Sequence, residues 1–198
     1  MKMTKLFRAA FAAIALTLAA SASAAPITSA ADPALAGATV ENFDLIADGT
    51  YNVLNVNGAT FTGNGLRVCN QCGGTGFGDT NMSLNNPNGG NFSVVFNNTV
   101  SAFGITGGAY NNGWTFNAYD AANALIESYS FNQACCGGSF RGIDADGIKR
   151  VDFIANGDWV VFDNFSFVEN GGNSVPEPGS LALLGLALLG FAASRRKA

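Results

Sequence analysis

Four cysteines, a scatter of carboxylates and a few aromatic rings are the residues of this chain whose types and spacing could do chemistry. Cys69 and Cys72 stand in Cys-Asn-Gln-Cys-Gly-Gly, and Cys135 and Cys136 are neighbours in Cys-Cys-Gly-Gly. Four thiolates could hold zinc, but adjacent cysteines do not give the paired spacing of zinc sites. A thioredoxin-type redox pair needs a helix after its Cys-x-x-Cys, which Gly73-Gly74-Thr75-Gly76 does not supply. An even cysteine number fits two disulfides in an oxidising compartment, with three connectivities open. Two bridges between the segments are expected here, pinning a pair of Gly-rich loops together. Closing a loop of about 60 residues would stabilise by roughly 4 kcal/mol on the chain-entropy model.

The carboxylates suggest calcium before catalysis. Oxygen ligands in Asn- and Gly-rich loops suit its adaptable coordination. Asp44 and Asp163 lie in the first and last clear strands, which often meet in a sandwich, so a structural calcium ion is expected there. Asp144-Ala145-Asp146-Gly147 is a second candidate, although Asp and Gly are also a turn signal. Two carboxylates could hydrolyse a glycosidic bond, and Glu127, Asp144, Asp146 and Asp152 are available. Turn and solvent-facing roles explain them more simply. The chain has no histidine, which removes Ser-His and Cys-His nucleophile pairs. Gly-x-Ser-x-Gly, phosphate-binding and dinucleotide motifs are absent. No catalytic residue is assigned, and the expectation is a protein that is not an enzyme.

Exposed aromatic rings could stack on sugars. Tyr110, beside Gly107-Gly108 and Asn111-Asn112, is the candidate for glycan stacking, with Tyr119, Tyr129 and Trp114 behind it. The alternation of Trp114 with Phe116 reads as core. Four Asn-x-Ser/Thr sequons, at Asn81, Asn91, Asn97 and Asn164, read as incidental in so Asn-rich a chain.

The elements that must position these residues are strands. Between Thr39 and Val168 the apolar period is two rather than 3.6: Trp114, Phe116 and Ala118 alternate with Thr115, Asn117 and Tyr119. Further strands are predicted at Val40 to Ile46, Ala59 to Thr62, Leu66 to Cys69, Phe92 to Phe96, Val100 to Ile105, Ile126 to Phe131, around Val151 to Phe153, and Trp159 to Val168. Ala121 to Leu125 is a short helix or a turn. Short strands with Gly- and Asn-rich turns and no helical crossovers predict an all-β fold, an antiparallel β-sandwich of jelly-roll-like form, over residues 25–168.

Both ends read as addresses. Lys2, Lys5 and Arg8 precede an apolar run of about 12 residues, too short to span a membrane, and Ala22-Ser23-Ala24 gives small residues for a signal peptidase. Residues 1–24 are therefore read as a cleaved signal peptide. Residues 169–175 form a flexible polar linker. After it, Val175-Pro176-Glu177-Pro178-Gly179-Ser180 leads into an uncharged Leu-rich run and then Arg195-Arg196-Lys197. The run predicts a short hydrophobic helix of roughly 24 Å against a hydrocarbon core of about 30 Å. The basic end would stay cytoplasmic.

Pro-Glu-Pro, apolar run and basic terminus, in that order, resemble the PEP-CTERM signal of exopolysaccharide-producing Gram-negative bacteria. The resemblance implies that a membrane-embedded exosortase recognises Pro176, Glu177, Pro178 and Gly179 within residues 176–198. It also implies cleavage near that motif after a transient inner-membrane stage, then release to the cell surface or extracellular matrix. The interval from Val40 to Val168 also resembles β-sandwich domains found ahead of such tails. The matching pieces are Asn42-Phe43-Asp44-Leu45, Gly58-Ala59-Thr60-Phe61-Thr62-Gly63 and Phe162-Asp163-Asn164-Phe165-Ser166-Phe167.

Charge bounds the partners. Six of the ten basic residues lie in the two targeting segments, leaving four against thirteen acidic ones in residues 25–175, a net −9. With no basic surface to neutralise phosphates, nucleic acid is not a partner. The expectation is an exported, structural or adhesive β-sandwich whose partners are signal peptidase, exosortase and exopolysaccharide. The rivals are a carbohydrate-binding module, a secreted hydrolase and an ice-binding protein. The last would need a regular threonine array that the sequence does not show.

Overall fold

The computed structural model describes residues 24–70, 72, 82–86, 89–108, 112–132 and 138–170. Apart from Ala24, the signal peptide lies outside them, as does the whole C-terminal helix expected within residues 176–198. Among the described residues, ten strands and one 3-10 turn, Pro33–Leu35, make up the regular structure. The strands are β1 Ala25–Ile27, β2 Thr39–Glu41, β3 Gly49–Val56, β4 Ala59–Asn70, β5 Met82–Asn85, β6 Phe92–Gly108, β7 Trp114–Tyr119, β8 Leu125–Phe131, β9 Ser139–Ile154 and β10 Val161–Glu169. All pairings are antiparallel. Of the stretch Ala121 to Leu125, residues 121–124 are a turn, in which the Asp120 carboxylate accepts from the N–H groups of Ala122 and Ala124, and Leu125 opens β8.

Hydrogen bonding links the strands into one sheet that makes two layers, because its longest strands serve both. Residues 92–95 of β6 pair with 150–153 of β9, and 92–96 pair with 59–63 of β4. Residues 100–107 pair instead with 139–148 of β9, and 100–108 with 161–169 of β10. The ladder shifts register between Val95 and Val100, and again between Val100 and Ala102. Bulges bend strands and raise their twist, which turns β6 and β9 from one layer into the other. One layer then runs β3, β4, β6, β9, β7, β8. The other carries β1, the first half of β9, the second half of β6, β10, β2 and β5. Asp144 to Gly147, a turn signal in the sequence, therefore lies inside β9, where β9 and β6 fall out of step.

Inward positions fill the space between the layers with aromatic rings. Phe61 of β4 meets Phe165 of β10 at 5.0 Å. Phe92 of β6 meets Phe162 at 5.3 Å, and Trp114 of β7 meets the same ring at 5.4 Å. Phe96 reaches Phe167 at 5.4 Å. Edge-on aromatic pairs add about 0.5–1.5 kcal/mol to the burial of their area. The chain is thus an all-β antiparallel sandwich, as its period-two pattern predicts. Phe162 touches rings from three strands of the facing layer, Phe92, Phe153 and Trp114. Phe162→Ala is expected to lower unfolding free energy by about 3–5 kcal/mol in a urea melt. A loss under about 1 kcal/mol would mean that the seam does not hold the layers together.

Candidate functional site

Cys69 lies one residue before the end of β4, and the structure bonds it to Cys72, with a Cα–Cα separation of 5.5 Å. This corrects the expectation of bridges between the two Gly-rich segments: the chain turns back within three residues to a distance a disulfide accommodates. So short a loop removes little entropy from the unfolded chain. Bonded to each other, Cys69 and Cys72 offer no thiolate to a metal. Cys135 and Cys136 lie outside the described residues.

β2 and β10 do meet, with Glu41 opposite Phe165, but the carboxylates expected to hold calcium serve their own chain. Asp44 lies past the end of β2 and accepts from the Asn42 amide at 2.7 Å and the Met82 N–H at 3.1 Å. Asp163 accepts from the N–H of Asn164 at 2.6 Å and from its amide at 3.1 Å. Side-chain bonds to nearby backbone are the usual work of Asp in turns. Among the described residues no three Cys, Asp or Glu side chains converge on one point. Asp152 is bonded to Arg150, and Glu127 accepts from the N–H of Ser128. An open groove of about 660 Å³, where β2 meets the β3–β4 hairpin, is lined in part by Val40, Glu41, Leu45, Asn55 and Asn57. None of Glu127, Asp144, Asp146 and Asp152 lines it. Its carboxylate, Glu41, is buried and accepts from Phe43 N–H and Asn57.

The aromatic candidates separate cleanly. Trp114 is buried, and its indole N–H donates to Asp158 at 2.8 Å. Tyr119 carries the Arg150 guanidinium 4.1 Å from its ring centre, so a sugar would have to displace that cation. Tyr129 packs against Phe116 and Phe131 at the rim of the core. Tyr110 lies outside the described residues.

Among the described aromatic residues, the ring presented to solvent is Trp159, which the sequence pattern assigns to a strand. β10 begins only at Val161. Before it, Asp158 is 3% exposed, Trp159 43% and Val160 0%. A buried acid beside an exposed tryptophan inverts the usual partition of these residues. Local bonding makes the inversion stable. Ala155 to Asp158 is a turn closed by Asp158 N–H to Ala155 C=O at 2.9 Å, with φ of 50° at Asn156 and 80° at Gly157. Positive φ at both central positions is the type I′ geometry that Asn-Gly favours. Buried Asn86 then holds both neighbours of Trp159. Its amide donates to the Asp158 carbonyl at 3.1 Å, and its carbonyl accepts from Val160 N–H at 2.8 Å. Asn91 accepts from Ala155 N–H, and Asn156 donates to the Gly113 carbonyl. Gly89 sits so close that a Cβ there would fall 2.3 Å from the Gly157 carbonyl carbon. The Asn-Gly at 156–157 is the sequence signal that places a turn, rather than a strand, just before Trp159.

Comparison with known proteins adds one firm finding. Residues 174–197 match the PEP-CTERM protein-sorting motif. The chain carries an export-sorting signal. The match covers Pro176, Glu177, Pro178, Gly179 and the basic Arg195, Arg196 and Lys197, all of which lie outside the described residues. No curated protein sequence is detectably similar to the chain. Among solved structures, a point mutant of CBM29-2, from work on ligand recognition by family 29 carbohydrate binding modules, gives a TM-score of 0.41 at 15% identity. That alignment covers 66% of this chain and 91% of the other. A second mutant of the module gives 0.37 at 12%, covering 71% and 98%. The enzymatically active domain of tailspike protein 4 of bacteriophage CBA120 gives 0.37 at 14%, covering 59% and 20%. Scores this low say nothing about what this chain binds.

Asp144, the remaining acidic candidate, stands opposite Ala25 of β1. Although Asp144 is exposed, partial loss of solvent around its carboxyl, then the charges of Asp32 and Asp146, hold it above the ordinary carboxylate range. The folded state therefore binds this proton more tightly than the unfolded chain. The resulting stability is fully present below the ordinary pKa and is lost as pH rises through the raised value. Asp144→Asn is expected to raise the melting temperature at pH 7 and to leave it unchanged at about pH 3, where the carboxyl is protonated in both states. Equal melting temperatures at pH 7 would contradict this.

Proposed function

We propose that the protein is an exported, non-enzymatic β-sandwich with a structural or adhesive role at the cell surface or in the extracellular matrix. Signal peptidase removes residues 1–24, the tail halts the chain briefly in the inner membrane of a Gram-negative cell, and an exosortase cuts near Pro176 to Pro178. The match of residues 174–197 to the sorting motif carries this reading. The sandwich suits such a role, with a ring-filled core, carboxylates engaged in turns, and a net −9 that favours solubility outside the cell. The exposed Trp159 favours adhesion through carbohydrate over a purely structural role.

Intact mass and cellular location test the reading, compared between a producing strain and one lacking the exosortase. Loss of both termini in the first, with the uncut tail retained at the membrane in the second, is expected. A full-length C-terminus in both would make the tail an ordinary anchor and overturn the proposal.

A further inference from the structure

From the loop at residues 155–160, which exposes a tryptophan while burying the aspartate before it and the valine after it, we infer that Trp159 is a stacking platform for a neutral polysaccharide. This deepens the adhesive reading and rests on it. An indole face accepts the C–H face of a sugar ring, and the hydroxyl rim of that ring calls for neutral donors and acceptors nearby. The loops around Trp159 offer amides: exposed Asn91, Asn112 and Asn156 lie in the segments that hold it.

Charge selects the class of ligand. The described residues of these segments, 86, 89–91, 112–113 and 155–160, include no Lys or Arg. A phosphate, sulfate or uronate there would find no cation among them and would face a domain of net −9. A membrane surface is excluded by the same lack, since interfacial binding to anionic lipid draws on clustered basic residues.

The backbone that carries the ring is also held firmly. Asn86 grips Trp159 from both sides through the Asp158 carbonyl and the Val160 N–H. The Asp158 carboxylate is itself fixed by Trp114 of β7 and by Asn112 N–H. A loop backbone held this way loses little freedom on binding, and lost freedom is a main cost of association.

The test is native affinity electrophoresis of the exported protein through gels cast with dextran, hydroxyethylcellulose or galactomannan, with alginate as the anionic comparison. Retardation is expected in at least one neutral gel and not in alginate. Trp159→Ala should weaken it by about tenfold or more, and Trp159→Phe should keep part of it. Both variants should melt at the native temperature, because the ring is outside the core. The inference is overturned by a native protein that no neutral gel retards, by alginate retardation alone, or by a Trp159→Ala variant retarded like the native. None of these outcomes touches the sorting reading, which mass and location decide separately.

Discussion

The seam of aromatic rings between the layers is what every other feature of this molecule leans on, and the bent strands are what make the seam. β6 supplies Phe92 and Phe96 to one layer and Phe103 to the other before and after its register shift. β9 crosses between the layers beside it. A core built from the two halves of the same strands cannot come apart by sliding one sheet over the other. That firmness reaches the loops: Trp114 sits in the seam against Phe162 and extends its one polar atom to Asp158. The loop that shows Trp159 to solvent is thus anchored to the core through a buried indole–carboxylate bond. Buried hydrogen bonds of this kind cost more to break than they contribute when formed.

How much of the fold is legible in the sequence depends on whether the local pattern states the burial. β7 is legible because Trp114, Phe116 and Ala118 alternate strictly, and they are its three buried residues. β3 is not, because only Leu54 of its eight residues is buried and a sheet edge leaves no alternation to read. β6 looks like two strands, since Asn97-Asn98 reads as a turn; in the structure it is a bend within 17 residues. The first half of β9 is hidden by the Asp-Gly signal at 146–147. Such errors share one cause: a bulge and a turn use the same residues, and only the neighbouring strand decides between them.

The functional residues divide along the same line. The sorting tail needs no fold to be read, because a membrane address is a linear pattern of proline, apolar length and terminal charge. The cysteine pairing is not readable, because loop entropy favours the long bridge while the chain's actual turn brings Cys72 back to Cys69. Trp159 reads as strand because aromatic and β-branched neighbours run on directly behind it. Its exposure is set by Asn86, more than 70 residues away in sequence, and no local window contains that information.

At the centre of the proposed reading stands a division of labour between the two tryptophans: Trp159 meets a ligand while Trp114 holds the loop. The chain has two indole N–H groups, so their nitrogen–proton resonances can be followed together as a neutral oligosaccharide is titrated into the folded protein. The Trp159 signal is predicted to shift progressively to saturation while that of buried Trp114 stays in place. A Trp114 shift without one at Trp159, or no shift at either through the titration, would contradict it.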